Sequence, residues 1–305
     1  MVKKNLVSIL DVREDFNEII NLSLRLKRSR YQSHNSVEGR TMGMIFEKSS
    51  TRTRVSLETA IHQLGGNGIY LNPNDMQMGR GETVEDTARV LSGMLDILTY
   101  RAFSHVNVEK LAKFSSIPVI NALDDREHPL QLLADFLTIY EKMGTFSGKK
   151  FSYVGDGNNM VNSILLTCAM TGMDVSIATP KGYEPNADYV KRAETIAKEM
   201  GSKVEVGNNP ENAVEGSNIV YTDVWVSMGE EKQKEEKEKA FKPFQVNQSL
   251  ISHADKNFIF MHCLPAHRGL EVTDEVADSV HSVIFQEAEN RLHSAKGAIV
   301  YLLSQ

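Results

Sequence analysis

Residues 42–54 read Met42-Gly43-Met44-Ile45-Phe46, then Glu47-Lys48-Ser49-Ser50-Thr51-Arg52-Thr53-Arg54. The first five are a short apolar run that ends abruptly in polar residues, the pattern of a buried strand. Beyond them Val55, Leu57, Ile61 and Leu64 recur at helical spacing, and Gly65-Gly66 closes the helix. A strand that turns into a helix through a hydroxyl-rich, cationic junction is the opening of an α/β unit. A helix start presents unpaired N–H groups and partial positive charge, so it attracts oxyanions. Ser50, Thr51 and Thr53 add hydroxyl donors, and Arg52 can grip a phosphate through two parallel bonds. The plainer alternative is an N-cap flanked by surface arginines.

The same alternation continues on both sides of this junction. An opening helix is predicted from about Val12 to Lys27, with Phe16, Ile19, Ile20 and Leu26 apolar. Downstream come Gly68–Leu71, a helix over Thr83–Gly93, the strand Ile97–Tyr100 and a helix from Pro129 to about Met143, ending at Gly144. The second half restarts with the strand Lys149–Val154, the turn Gly155-Asp156-Gly157-Asn158-Asn159, a helix over Asn162–Thr171 and the strand Asp174–Ala178. Two further strands are read at Asn218–Tyr221 and Phe258–Met261. The expected class is α/β: two doubly wound domains with mainly parallel central sheets, joined by interdomain helices. Ligand loops are expected at the carboxyl ends of the strands.

Size and composition bound the function. The 305 residues suggest two domains, and 41% hydrophobic with 24% charged residues is an ordinary globular balance. A net charge of −6 argues against a broad nucleic-acid or anionic-membrane surface. No run approaches the ~20 apolar residues of a membrane span. The N-terminus lacks the apolar core of a signal peptide. Cys168 and Cys263, the two cysteines, make no disulfide framework. A cytoplasmic protein is expected. The run Gly229–Lys239 is densely charged with no apolar face, and reads as a solvated helix, a mobile loop or part of a closing lid.

Other chemistry-bearing residues sit at strand ends. Arg101 follows Ile97–Tyr100, and alone would read as a surface arginine. His128-Pro129-Leu130-Gln131 places His128 and Gln131 at one helix start, with Pro129 in the first turn. With Arg101 they form a set able to polarise a carbonyl. In the turn Gly155–Asn159 the dinucleotide pattern fails, because Met160 stands at its third glycine. Asn158 and Asn159 offer amides for the zwitterionic end of an amino acid. Asp223 gives a carboxylate for a cationic amine, and Ser227-Met228-Gly229 a turn with a hydroxyl. Cys263, in Met261-His262-Cys263-Leu264-Pro265, reads as a small buried hydrophobe or as a thiolate; one Cys beside one His cannot close a tetrahedral zinc site.

Together these segments resemble the ornithine carbamoyltransferases of the anabolic type, along nearly the whole chain. The blocks are Ser50–Arg54, Arg101, His128–Gln131, Gly155–Asn159, Asp223 through Gly229, His262–Pro265 and Glu287-Ala288-Glu289-Asn290-Arg291. The resemblance implies carbamoyl transfer from carbamoyl phosphate to the side-chain amine of ornithine, in arginine biosynthesis or in reverse in arginine breakdown, with no cofactor and no metal. It implies a carbamoyl-phosphate domain over residues 1–140, an ornithine domain over 141–285, and a last helix at about 286–305 packing back on the first domain. Carbamoyl phosphate is then contacted by Ser50, Thr51, Arg52, Thr53, Arg101, His128, Pro129, Leu130, Gln131, Cys263, Leu264 and Arg291. Asn159, Asp223, Ser227 and Met228 hold ornithine. Arg101, His128, Asp223 and Cys263 carry the chemistry. A homo-oligomer built from trimers is also implied, in which Gln77 of a neighbouring subunit reaches the phosphate. The rivals are a carbamoyltransferase for another amine such as putrescine, a dinucleotide-dependent oxidoreductase, and a silent paralogue.

Overall fold

The computed structural model describes residues 3–30, 35–226 and 231–305. It divides into two compact units, residues 1–137 with 289–305, and residues 138–288. Among the described residues each unit has one all-parallel sheet flanked by helices.

In the first unit the strands are β1 (Thr41–Phe46), β2 (Asn67–Leu71), β3 (Ile97–Arg101) and β4 (Val119–Leu123), in spatial order β2-β1-β3-β4. Strands β1 and β3 are buried almost throughout, the continuous apolar character of a parallel sheet covered on both faces. One core cluster gathers Ile45, Leu98, Tyr100, Val108, Leu111 and Val119. The N-terminal segment adds to the β4 edge: the Leu6 N–H donates to Val119 O at 2.9 Å, and the Asn121 N–H to Leu6 O at 2.8 Å. The first long helix runs Phe16–Arg28 rather than from Val12. A capping box between Ser8 and Asp11 starts a separate 3-10 turn, Ile9–Val12, ahead of it. Strand β4 and the helix His105–Phe114 are additions to the elements expected from the sequence pattern.

The second unit has β5 (Lys150–Val154), β6 (Asp174–Ala178), β7 (Val204–Gly207), β8 (Ile219–Thr222) and β9 (Ile259–His262), in the order β7-β6-β5-β8-β9. Its core packs Val154, Ala178, Val220, Phe244, Val246, Phe260 and Val272. The helix after β5 spans Asn159–Thr171, three residues longer at its start than the apolar pattern suggests. Asn158 is the reason, since its side-chain oxygen caps Met160 N–H at 2.9 Å. Gly157 is required where it stands. A Cβ there would lie 2.5 Å from the backbone of Tyr183, Glu184 and Pro185.

The charged run departs from a purely solvated reading. Residues Lys234–Phe241 form a helix, and Lys237 on it is 3% exposed. Its ammonium pairs with the buried Asp156 carboxylate at 2.8 Å. The other charges of that helix remain outside, so one lysine in the run anchors the rest. Among the described residues no helix is long and apolar enough to cross a membrane.

Candidate active site

Both sheets reverse direction at a predictable place. In the first unit β2 lies on one side of β1 and β3 on the other; in the second, β6 and β8 flank β5. Loops leaving the carboxyl ends of such neighbouring strands splay apart and open a crevice for ligands. The loops at these two points carry most of the residues singled out from the sequence.

In the first unit the β1 end leads through Glu47–Ser50 into the helix Thr51–Gln63. Ser50 Oγ accepts the Thr53 N–H at 3.2 Å and donates to Thr53 Oγ1 at 2.9 Å. The same Thr53 oxygen accepts from Arg291 Nη2, on the last helix, Ile284–Leu303. Thr53 is fully buried, while Thr51 is exposed and Arg52 partly so. Arg54 turns outward, stacking its guanidinium 3.9 Å from the Tyr70 ring centroid, and so does not join this group.

Arg101 closes β3, a buried cation beside the β1 end. Its place is set by Glu47, an acid that stands outside the hydroxyl-and-arginine motif. The Glu47 N–H donates to Arg101 O at 2.9 Å, and the Glu47 carboxylate accepts the Tyr100 hydroxyl and the Phe103 N–H, each at 2.6 Å. His128 precedes the helix Pro129–Met143 and is buried, as are Pro129, Leu130 and Gln131. Gln131 Nε2 donates to Asp135 at 2.8 Å, fixing its amide. Burial, then the Arg291 and Arg101 charges, hold the His128 imidazole well below its ordinary pKa. It is therefore neutral at pH 7, able to donate one N–H without bringing a proton that could be lost. Burial and Arg101 also lower the pKa of Lys48. Gln77 is itself exposed, on the 3-10 turn Gln77–Arg80, and away from this group in sequence.

In the second unit the matching loop is Gly155–Asn158. Asn158 both caps its helix and donates Nδ2 to Asp223 Oδ2 at 3.0 Å. Asp223, just beyond β8, accepts the Cys263 thiol at 3.1 Å and the Val224 N–H at 2.8 Å on Oδ1. The carboxylate is thus oriented by an amide, a thiol and a main-chain donor. Asn158 makes the bond to Asp223, and Asn159, expected to hold ornithine, is the first residue of the helix and partly exposed. A capping residue next to a candidate ligand residue was the available signal. Ser227 and Met228 lie outside the described residues.

The β9 end is braced by two buried glutamates, Glu271, which belongs to no motif, and Glu287, which opens the Glu287–Arg291 block. The Leu264 N–H donates to His262 Nδ1 at 2.9 Å, so the imidazole proton sits on Nε2, 3.2 Å from Glu271. Glu287 accepts the His262 N–H at 2.9 Å and the Tyr221 hydroxyl at 3.2 Å. Leu264 holds a left-handed backbone, φ 58°, directly after Cys263. Ligand atoms of Asp223, His262 and Cys263 fall within 4.8 Å of one another. Both His262 nitrogens are already engaged, which leaves a carboxylate and a thiol, too few for a closed tetrahedral site.

Comparison with known proteins agrees with this division of labour. Residues 4–141 match the family described as aspartate/ornithine carbamoyltransferase, carbamoyl-P binding domain, and residues 147–302 its Asp/Orn binding domain. A curated relative from Thermoplasma volcanium, named ornithine carbamoyltransferase, catabolic, is 60% identical over the full length of both chains. The solved ornithine carbamoyltransferase from Pyrococcus furiosus superposes with a TM-score of 0.94 at 48% identity, covering 98% of this chain and 97% of that one. The anabolic enzyme from Campylobacter jejuni gives 0.92 at 40%, covering 98% of each. The chain belongs to the ornithine carbamoyltransferases, within the aspartate/ornithine carbamoyltransferase family.

Proposed function

We propose that this chain transfers the carbamoyl group of carbamoyl phosphate to the side-chain amine of L-ornithine, giving L-citrulline and phosphate. One observation carries the donor half: a Ser50-capped helix start whose Thr53 hydroxyl is held by Arg291, in the unit that also buries Arg101 and a neutral His128. The first-turn N–H groups and Arg52 take the phosphate. Arg101, His128 and Thr53 face the carbonyl oxygen, where negative charge grows as the amine attacks. Pro129 and Leu130 set the helix start that aims His128, and Gln131 takes the carbamoyl amide.

On the acceptor half, Asp223 takes the α-amino group of ornithine, with Asn159, Ser227 and Met228 around its carboxylate. The side-chain amine has a reference pKa of about 10.4 and attacks only when neutral. Cys263, bonded to Asp223, and Leu264 stand at the β9 end and help it shed that proton. The amine nitrogen bonds to the carbamoyl carbon, the carbon–oxygen bond to phosphate breaks, and the extra nitrogen proton leaves. Carbamoyl phosphate is already activated, so these residues suffice for the reaction as written.

The same groups serve either direction, and supply of substrates decides between biosynthesis and breakdown. We further infer a cytoplasmic enzyme built from trimers, in which Gln77 of a neighbouring subunit completes the phosphate site; its exposure in the single chain fits that role. Citrulline formation from carbamoyl phosphate plus ornithine tests the activity, with putrescine and aspartate as competitors. Equal turnover of putrescine would overturn the acceptor assignment. Sedimentation and a Gln77→Ala variant test the assembly.

A further inference from the structure

His128 is aimed by the residues before it, and those are built around one buried carboxylate. Asp124 is 0% exposed. Its Oδ1 accepts the Arg126 N–H at 2.7 Å and the Glu127 N–H at 2.8 Å, folding residues 124–127 into a turn that the Asp124 N–H to Glu127 O bond closes at 3.0 Å. Its Oδ2 accepts Asn121 Nδ2 at 2.7 Å and lies 2.6 Å from His105 Nδ1. The residue ahead of it, Leu123, has φ 143°, a conformation that side chains rarely adopt. Asn121 Oδ1 accepts the Leu123 N–H at 3.0 Å, and the Ala102 N–H donates to Leu123 O at 2.9 Å. The strained residue therefore ties the β3 end, with Arg101, to the turn that presents His128.

A buried carboxylate is costly unless its oxygens are hydrogen-bonded. His105 supplies one of those partners, 2.6 Å from Oδ2. Asp124 and Glu109 raise the pKa of this imidazole against its burial, and Glu127 adds to them. Glu109 lies 3.6 Å from Nε2, Asp125 accepts the His105 main-chain N–H at 2.6 Å, and Glu127 holds Ser8 and Ile9 of the N-terminal segment at 3.1 Å. No part of the proposed chemistry uses His105.

We propose that His105 is a positioning residue for carbamoyl-phosphate activation: by pairing with Asp124 it fixes the strained Leu123–Glu127 turn that sets Arg101 and His128 in register. The proposal rests on the donor-side reading above. It predicts a defect confined to one substrate. Misplacing a carbonyl-polarising group by an ångström can cost about 10²-fold, so His105→Phe should lower kcat/KM for carbamoyl phosphate by about that factor. At saturating carbamoyl phosphate, KM for ornithine should stay within about twofold of wild type. His105→Asn, whose amide can donate to Asp124 in place of Nδ1, should recover kcat/KM to within about tenfold.

The experiment is steady-state citrulline formation by wild type, His105→Phe, His105→Asn and Asp124→Asn, with melting temperatures measured alongside. A carbamoyl-phosphate-selective loss in His105→Phe and Asp124→Asn, rescued in His105→Asn, supports the role. A lowered melting temperature with unchanged kinetics, an equal loss for both substrates, or His105→Asn as poor as His105→Phe overturns it. Should His105→Phe fail to fold, Asp124→Asn decides alone, and wild-type kinetics in that variant refute the idea. A wild-type enzyme that makes no citrulline would instead overturn the function itself, a result distinguishable from all of these.

Discussion

The Arg291 guanidinium donates to the Thr53 hydroxyl across 238 residues of sequence. That bond joins the last helix to the first turn of the helix that follows β1, and it fixes a cation at the helix start proposed to take the phosphate. Thr53 also accepts from Ser50, so its own hydrogen is turned toward neither partner. Thr53→Val keeps the shape and removes this junction. Citrulline formation should fall by about 10²–10³, the usual cost of one oxyanion donor, with the rise in KM on the carbamoyl-phosphate side. Near-normal turnover would mean that the hydroxyl only caps.

Arg52→Ala is the more direct test of the phosphate grip. Arg52 is partly exposed in the first turn of its helix, and its truncation should shift the melting temperature by only about 2 °C. Carbamoyl-phosphate affinity should collapse, read as loss of protection against thermal unfolding by carbamoyl phosphate or inorganic phosphate. Retained protection in Arg52→Ala would move the phosphate elsewhere.

The neutral His128 gives a pH prediction with a definite sign. Its folded pKa lies well below the unfolded value of about 6.5. The folded protein therefore binds fewer protons in that window, and stability rises with pH there. The contribution is complete above about pH 6.5 and drains away as pH falls toward the folded value. Arg291→Met removes one of the two cations that depress it, so the imidazole should titrate at higher pH. NMR titration of the His128 ring in both proteins reads this directly; an unmoved titration would leave burial and Arg101 as the causes.

How much of this was legible beforehand depended on where the signal lay. Strands such as Asp174–Ala178 and the helix Pro129–Met143 announce themselves, because apolar runs end at Gly, Pro or charge. Val204–Gly207 did not: it is an edge strand with mostly exposed side chains, and Glu205 interrupts its apolar pattern. At the site, the residues proposed to touch ligand belong to compact motifs, so Ser50–Thr53 and His128–Gln131 could be singled out. Residues that aim them do not. Glu47, Asp124 and Glu271 are ordinary acids whose partners come from other elements, and only the fold brings them together. Lys237 shows the same limit, since nothing local separates it from the exposed charges around it.

Cys263→Ala probes the acceptor half. The thiol donates to Asp223 Oδ1 at 3.1 Å, so its loss removes one of that oxygen's two donors and leaves the Val224 and Asn158 bonds in place. KM for ornithine should rise by roughly tenfold, the worth of one hydrogen bond to a charged group, while KM for carbamoyl phosphate holds. Cys263→Ser, which can still donate, should lie between. Ornithine kinetics indistinguishable from wild type across pH 6–9 would reduce Cys263 to packing.

Lys237 and Asp156 make the strongest stability prediction. Side-chain exposures of 3% and 8% leave neither charge much water, and the 2.8 Å contact sets each against an opposite charge. Removing one partner strands the other as a buried charge, a loss of about 3–5 kcal/mol. Lys237→Met should therefore lower the melting temperature by roughly 6–20 °C, at about 2–4 °C per kcal/mol for a unit of this size. Asp156→Asn combined with Lys237→Met removes both charges and should recover most of that loss, because a neutral pair avoids the desolvation cost altogether. The double mutant separates two roles. If stability returns but KM for ornithine stays high, the pair also orients the Gly155–Asn158 turn and, through Asn158, the Asp223 carboxylate. If both return, the pair serves stability alone, and if the double mutant is no better than Lys237→Met, buried-charge compensation is the wrong account.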